Sequence, residues 1–421
     1  MSPIRKLASL GLALGAALFL ASCNLAPVAR PAAAATAEAS REEPRPIVVL
    51  ISIDGFRPDY IERGVTPVLR RLADEGAFGP MTPSFPSATF PNHYTQVTGL
   101  HPDNHGIVSN TMRDEALGRF SLGNRDAVSD RRWWDDAEPI WVTAERAGII
   151  TGTMFWPGSE ADIRGVRPSL WSVFDQSLPG DARVDRLLSW LDLPEGERPR
   201  FATLYFDIVD TAGHNHGPDS AEVNEAMASV DASMARLLAG LEARGLNDQV
   251  VLVIVSDHGM AETSPERAIY LDDVIDLESV EVLTWGYFSG IYPRAEREAE
   301  VRAALLRDHA NMDCWAKDQI PAHLNYGRHP RVPPYVCLAE NGWLIASRAR
   351  PITRVGGAHG YDPRHPDMAA IVLVHGPGVR SGVRLSGVSA VDVHPLLGAL
   401  LDLEVPRGDG SLDALRPALV R

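Results

Sequence analysis

The sequence predicts an α/β fold in which a central, mostly parallel sheet is flanked by helices. Three observations carry this expectation. Short, continuous, β-branched runs recur at Ile47–Ile53, around Ala202–Val209, at Val251–Val255 and at Met368–Val374, and such runs are what strands buried on both faces look like. Helix-like stretches, Pro139–Ala147 and Ser220–Ala243 among them, alternate with the runs, an order that gives one elaborated α/β unit. Carboxylates and imidazoles stand at the ends of the runs, and open α/β sheets bind their ligands beyond the carboxyl ends of their strands.

Residues 1–22 read as a signal peptide. Arg5 and Lys6 precede an apolar stretch from Leu7 to Ala21, too short to cross a bilayer and laid out for secretion. It ends in Leu20-Ala21-Ser22-Cys23, which resembles the bacterial lipobox, where the cysteine is acylated and anchors the mature protein to the membrane. Plain cleavage after a small residue is the alternative. Residues 23–45, rich in Ala, Pro and Glu, then form a lipidated flexible tether, and the remaining 46–421 are expected on the periplasmic side. Export would leave Cys314 and Cys337 in an oxidising compartment, which suits a disulfide that spacing alone does not establish.

The first run ends in Asp54, the second in Asp210 with His214 one helical turn on, and the third in Ser256-Asp257-His258-Gly259. His359, in Gly356-Gly357-Ala358-His359-Gly360-Tyr361-Asp362, precedes the last run. Three carboxylates and three imidazoles fit two zinc ions better than one, because each ion can take three ligands and keep a position open. One set is Asp210, His214 and His359, since an Asp-x-x-x-His spacing puts both side chains on one face of a turn. The other is Asp54, Asp257 and His258, which requires the backbone to leave strand geometry at a turn that Gly259 permits. Aspartates capping the helices that follow are the plain alternative.

The segment Pro86-Ser87-Ala88-Thr89-Phe90-Pro91-Asn92-His93 supplies the candidate nucleophile. Pro91 suits a first helical turn, which puts Thr89 near a helix N-terminus where amides and the macrodipole favour a developing alkoxide. Coordination of the Thr89 hydroxyl to zinc would lower its pKa without a general base; a threonine that merely caps the helix is the rival reading. Between His258 and His359, a span of about 261–355 holds the charged stretch Arg294–His309, both cysteines and Pro-rich segments. Connections of this length are usually functional, and a cap beside the substrate mouth is expected.

A chain of 421 residues, 45% hydrophobic, can bury a large core. Its net charge of −15 argues against a nucleic-acid polymer as partner, since such binding needs clustered Lys and Arg on phosphates. A small-molecule substrate is expected, and the oligomeric state stays open.

The ordered set Asp54, Thr89, Asp210-x-x-x-His214, Ser256-Asp257-His258-Gly259-Met260 and His359-Gly360-Tyr361-Asp362, with Phe155-Trp156-Pro157-Gly158 between, resembles the nucleotide pyrophosphatase/phosphodiesterase family of the alkaline phosphatase superfamily. The likeness extends over about residues 46 to 415, a catalytic domain alone, as in bacterial members. It implies an alkaline-phosphatase-like fold, two zinc ions, a covalent phosphothreonine on Thr89, and hydrolysis of nucleotide phosphodiester and phosphoanhydride bonds to nucleoside 5′-monophosphates. By the same match Asn110 would bind a phosphate oxygen, and Phe90 and Tyr205 would sandwich a nucleobase, with core packing as their rival role. Val209 stands where the family usually has proline, and Pro363 where asparagine is common, which touches substrate preference more than catalysis. A diesterase for choline or lipid headgroups, a zinc phosphomonoesterase and a non-catalytic binding protein are the rivals. The last should lack a ligand or the nucleophile, and none is missing.

Overall fold

The computed structural model describes Pro46–Val420. The expected signal peptide, the acylated Cys23 and the tether lie outside the described residues. Ile47–Ile53 occupies the centre of the main sheet, paired in parallel with Phe201–Phe206 on one side and Val250–Val255 on the other. Outward from Phe201–Phe206 follow Thr151–Met154 and Leu170–Trp171; outward from Val250–Val255 follow Ala370–His375, Ala77–Thr82 and Val383–Arg384.

Every pairing on this path is parallel except the two made by Ala370–His375, which runs against both neighbours. That reversal explains the position of His359. A residue that precedes an antiparallel strand arrives at the edge where its parallel neighbours end, so His359 reaches the same rim as Asp54 and Asp257.

Alternate residues of the central strand feed two cores. Val48 and Leu50 pack with Tyr94, Val97, Trp141 and Leu396 on one face, while Val49 and Ile51 pack with Leu72, Leu187 and Leu237 on the other. Helices therefore cover both faces, as the unbroken apolar runs require. Ala221–Ala243 begins where expected because the Ser220 side chain accepts a hydrogen bond from the Val223 amide. The Arg294–His309 stretch is helical only over Glu298–Leu305, with a 3₁₀ turn at Ala295–Arg297 before it.

The long connection opens and closes on one antiparallel pair, Ala261–Thr263 with Gly356–Ala358. Beyond this neck lies a four-stranded antiparallel sheet in the order Val280–Val282, Phe288–Pro293, Tyr335–Ala339, Met312–Ala316. Cys314 faces Cys337 across two of these strands, and the two are joined in a disulfide. The insertion docks through buried polar groups. The Asp103 carboxylate accepts from the amides of Gly327, Arg328 and His329. Arg331, 5% exposed, donates to the carbonyls of Gly106 and Trp133 and to Asp114. Tyr287 lies so close over Gly360 that a Cβ there would come within 2.0 Å of its ring. No described helix is long and apolar enough to cross a membrane.

Candidate active site

The six ligand-type side chains converge at the carboxyl rim in two overlapping groups. In the first, His214 Nε2 and His359 Nε2 are 3.0 Å apart, and Asp210 Oδ1 lies 3.4 Å from one and 3.5 Å from the other. In the second, His258 Nε2 lies 2.9 Å from Asp257 Oδ2 and 3.4 Å from Asp54 Oδ1. His258 stacks on His359 with ring centroids 3.5 Å apart and also falls within reach of Asp210, which links the groups. Asp210 and His214 share the helix Ile208–His216, so Asp210 sits in its first turn and not at the end of a strand.

Backbone carbonyls fix all three imidazoles in one tautomer. Nδ1 of His214 donates to Gly357 O, that of His258 to Gly259 O and that of His359 to Ser87 O, at 2.8, 2.9 and 2.9 Å. Each Nε2 is left with a lone pair, and all three point into the cluster. The close approach of His214 and His359 therefore sets acceptor against acceptor. Asp54 Oδ1, Asp210 Oδ1 and Asp257 Oδ2 are likewise buried without a hydrogen-bond donor. A set made wholly of nitrogen and carboxylate acceptors, each imidazole braced from behind, is the donor set that divalent zinc-type ions take.

Charge points the same way. Among the described residues no Lys or Arg pairs with Asp54, Asp210 or Asp257. Burial, then repulsion from Asp257 and Asp210, pushes the Asp54 carboxyl well above the usual range, and burial raises Asp210 as well. Burial opposes ionisation of Asp257 too, but His258 and His93 hold it low. His359 is pushed well down by burial and by His258 and His214. Positive charge at this point would favour every carboxylate in its ionised form.

Thr89 is the first residue of the helix Thr89–Thr98, with Ala88 at the N-cap. Its hydroxyl lies 3.3 Å from His258 Nε2, so it faces the ligands and does not cap the helix. Asn110 sits beside it, its Oδ1 accepting from the Phe90 amide at 2.9 Å, which turns its side-chain NH₂ away from that bond. Gly259 has a different reason from the one its sequence suggests: a Cβ there would come within 2.1 Å of the Asp367 carbonyl oxygen, so close approach of two backbones, and not a left-handed turn, requires glycine.

From Thr89 a cavity of about 200 Å³ opens between Phe90, Trp156, Phe174 and Tyr205, with Arg125 and Glu160 along its wall. None of its lining residues belongs to the 261–355 insertion. The insertion instead lies against the loop of His359, with Tyr287 near-parallel to His359 at 6.1 Å, so it braces the site from beside, and residues 122–176 supply the wall of the mouth together with Phe90 and Tyr205. Tyr205 lines the cavity but is 8% exposed, and its hydroxyl donates to Asp54 Oδ2 at 2.6 Å. That bond gives it a place behind a ligand, which the expectation of a stacking wall did not include.

Comparison with known proteins agrees with this geometry. The model of the family described as type I phosphodiesterase / nucleotide pyrophosphatase matches residues 48–362. The chain belongs to this family. An uncharacterized pyrophosphatase/phosphodiesterase of Schizosaccharomyces pombe is 36% identical over 88% of the chain and 80% of the relative. Mouse ectonucleotide pyrophosphatase/phosphodiesterase family member 1 is 33% identical over 91% of the chain, which spans only 44% of that relative's length. Among solved structures, human ectonucleotide pyrophosphatase/phosphodiesterase 5 superimposes with a TM-score of 0.85 at 32% identity, covering 89% of this chain and all of the other. The murine protein of that name, an inactive threonine-to-alanine variant in complex with AMP, gives 0.85 at 33% identity.

As a phosphodiesterase-family chain, the molecule holds several site residues that the sequence did not single out. His93 is fully buried, with Nδ1 2.8 Å from the Thr89 carbonyl oxygen and 3.4 Å from Asp257 Oδ2. It lies close enough to Asp54 and Asp257 to complete a ligand trio, but its nitrogens are spoken for. A carbonyl only accepts, so Nδ1 carries the proton; Nε2 then accepts from the Ser52 hydroxyl at 2.8 Å. His93 is therefore not a ligand. Phe174, Leu122 and Glu160 were missed because they sit in irregular segments without periodicity, and Arg125 because the helix it opens, Arg125–Ser129, is too short to show one.

Proposed function

We propose that this chain is a two-zinc phosphodiesterase and pyrophosphatase that cleaves nucleotide phosphodiester and phosphoanhydride bonds, releases nucleoside 5′-monophosphates, and works through a covalent phosphothreonine on Thr89. The observation that carries the reading is the place of Thr89 Oγ1, at a helix N-terminus, 3.3 Å from His258 Nε2 and at the mouth of an aromatic cavity. The inactive threonine variant and bound AMP of the murine neighbour support it. Asp54, Asp257 and His258 would hold one ion beside Thr89, and Asp210, His214 and His359 the other. Bound there, zinc would lower the pKa of the threonine hydroxyl and neutralise charge on the reacting oxygens.

Thr89 Oγ bonds to phosphorus in line with the departing oxygen, and the bond to that oxygen breaks as its group leaves with a proton. Water then displaces Thr89 Oγ from phosphorus, restoring the hydroxyl and freeing the monophosphate. The Asn110 NH₂ would donate to a phosphoryl oxygen, and Phe90 would offer its face to the base, a contact that tolerates any base because each has a π-face. Residues 1–45 support an exported, lipid-anchored protein on sequence grounds.

The test is hydrolysis of a nucleoside 5′-nitrophenyl ester. Chelation should abolish it and Zn²⁺ restore it, and acid-quenched enzyme should carry a phosphonucleoside adduct on the peptide containing Thr89. Full activity after exhaustive chelation, or net inversion at phosphorus with no adduct, overturns the reading.

A further inference from the structure

His93 occupies a position that neither the ligand set nor the cavity accounts for. It stands one turn after Thr89 on the same helix and packs edge-on against Trp156 and Tyr205, with centroids 4.9 and 5.2 Å away. Its own carbonyl accepts from the Trp156 indole at 3.0 Å. The ring thus joins four parts of the site. Nδ1 reaches the carbonyl of Thr89 and faces Asp257, Nε2 is held by Ser52, two residues before Asp54 on the central strand, and the ring edges meet the cavity wall and the tyrosine behind Asp54.

We infer that His93 is a positioning residue for the reaction: its Nδ1–H fixes the turn that bears Thr89 relative to the Asp257 carboxylate, and the Ser52 hydroxyl, donating to Nε2, holds the ring in that place. The inference rests on Thr89 being the nucleophile. In a helix the Thr89 carbonyl already faces the amide four residues on, and the imidazole adds a second donor to that oxygen. Asp257 sees the same N–H at 3.4 Å while its Oδ1 accepts from the Gly55 amide at 3.2 Å. A nucleophile displaced by about 1 Å can lose about 10²-fold in rate with binding intact. A role of this kind belongs to kcat and leaves KM and metal content alone.

Isosteric amides separate the two nitrogens. In His93→Asn the side-chain NH₂ falls near the place of Nδ1 and can still donate to the Thr89 carbonyl. In His93→Gln it reaches toward Ser52, and the donor near Thr89 is lost. Expected are a kcat for His93→Gln about 100-fold below wild type, with KM within about 3-fold and zinc content unchanged by elemental analysis, and a His93→Asn kcat within about 10-fold of wild type. Ser52→Ala, which leaves the helix and the Nδ1 donor in place but removes the anchor of Nε2, should lower kcat by about 3- to 10-fold because the ring is held less firmly, and it decides the matter if the His93 variants fail to fold. Equal kcat in His93→Asn and His93→Gln, an unchanged kcat in Ser52→Ala, or a kcat loss that follows lost zinc overturns the inference. The functional reading fails differently, through a fully active Thr89→Ala; an inert Thr89→Ala beside a wild-type His93→Gln removes the role of His93 alone.

Discussion

Thr89 and Tyr205 carry the sharpest expectations at the scale of single side chains. Thr89→Ala should keep its metal, because none of the bonds that brace the imidazoles involves the hydroxyl, yet lose at least about 10³-fold in turnover, as removal of a nucleophile does. Thr89→Ser should keep part of the activity. Tyr205→Phe removes one hydroxyl from behind Asp54, and a lost contact of that kind typically costs about 10- to 100-fold in metal affinity or rate; steady-state kinetics with a zinc titration would measure it, and an unchanged Tyr205→Phe would show that Asp54 needs no support. The six candidate ligands could be picked out in the sequence because carboxylates and imidazoles recur together at the ends of apolar runs, where helix capping explains any one aspartate but not the whole set. The function of the Tyr205 hydroxyl could not. It depends on strand register, Ser52 opposite Tyr205, which no run of residues displays. His93 was hidden for the same reason: its meaning lies in Ser52 and Asp257, each remote in the chain.

Helices and strands were readable where one period dominates. Ala221–Ala243, Val250–Val255 and Ile47–Ile53 fell where their patterns put them, while the antiparallel sense of Ala370–His375 leaves no mark on its composition. The insertion was visible as a length and not as a shape, since its strands are short and its docking is polar. Asp103 is the test of that docking. Burial opposes its ionisation, but the amides of His329, Arg328 and Gly327 and the Arg328 guanidinium hold its carboxyl below the usual range. A depressed folded-state value contributes stability that is complete above the unfolded pKa, near 3.9, and disappears as pH falls through the folded one. Amide exchange in 326–332 should therefore accelerate as pH falls below about 4, after correction for intrinsic rates, and Asp103→Asn should show faster exchange already at pH 7. Exchange that is indifferent to both changes would mean that the other contacts, Arg331 and the Tyr326 hydroxyl on Val108 O among them, carry the docking without Asp103.

Across the molecule, the disulfide and the metal sites are expected to contribute separable stability. Closing the loop between Cys314 and Cys337 restrains the unfolded chain by about 3 kcal/mol on a chain-entropy estimate, so reduction should lower the melting temperature without removing zinc. Stripping the proposed zinc ions should lower it further, with a loss of stability of about 4 kcal/mol for each site held at a thousandfold excess of free metal over its dissociation constant. Calorimetry of the four combinations would show additive losses if insertion and site are independent, and coupling if the Tyr287 contact with Gly360 transmits one to the other. The spread of the ligands has a further consequence, in time. Asp54 and His359 lie far apart in the chain, and His359 is held at the rim between the neck of the insertion and the last long strand, which runs in reverse. No half-finished chain can present the acceptor pair of His214 and His359, so the set that contains them, unlike that of Asp54, Asp257 and His258, is complete only once both have reached the rim. An ion held by that second set would then certify a finished molecule, and a population that stalls on the way would be marked by the one site left empty.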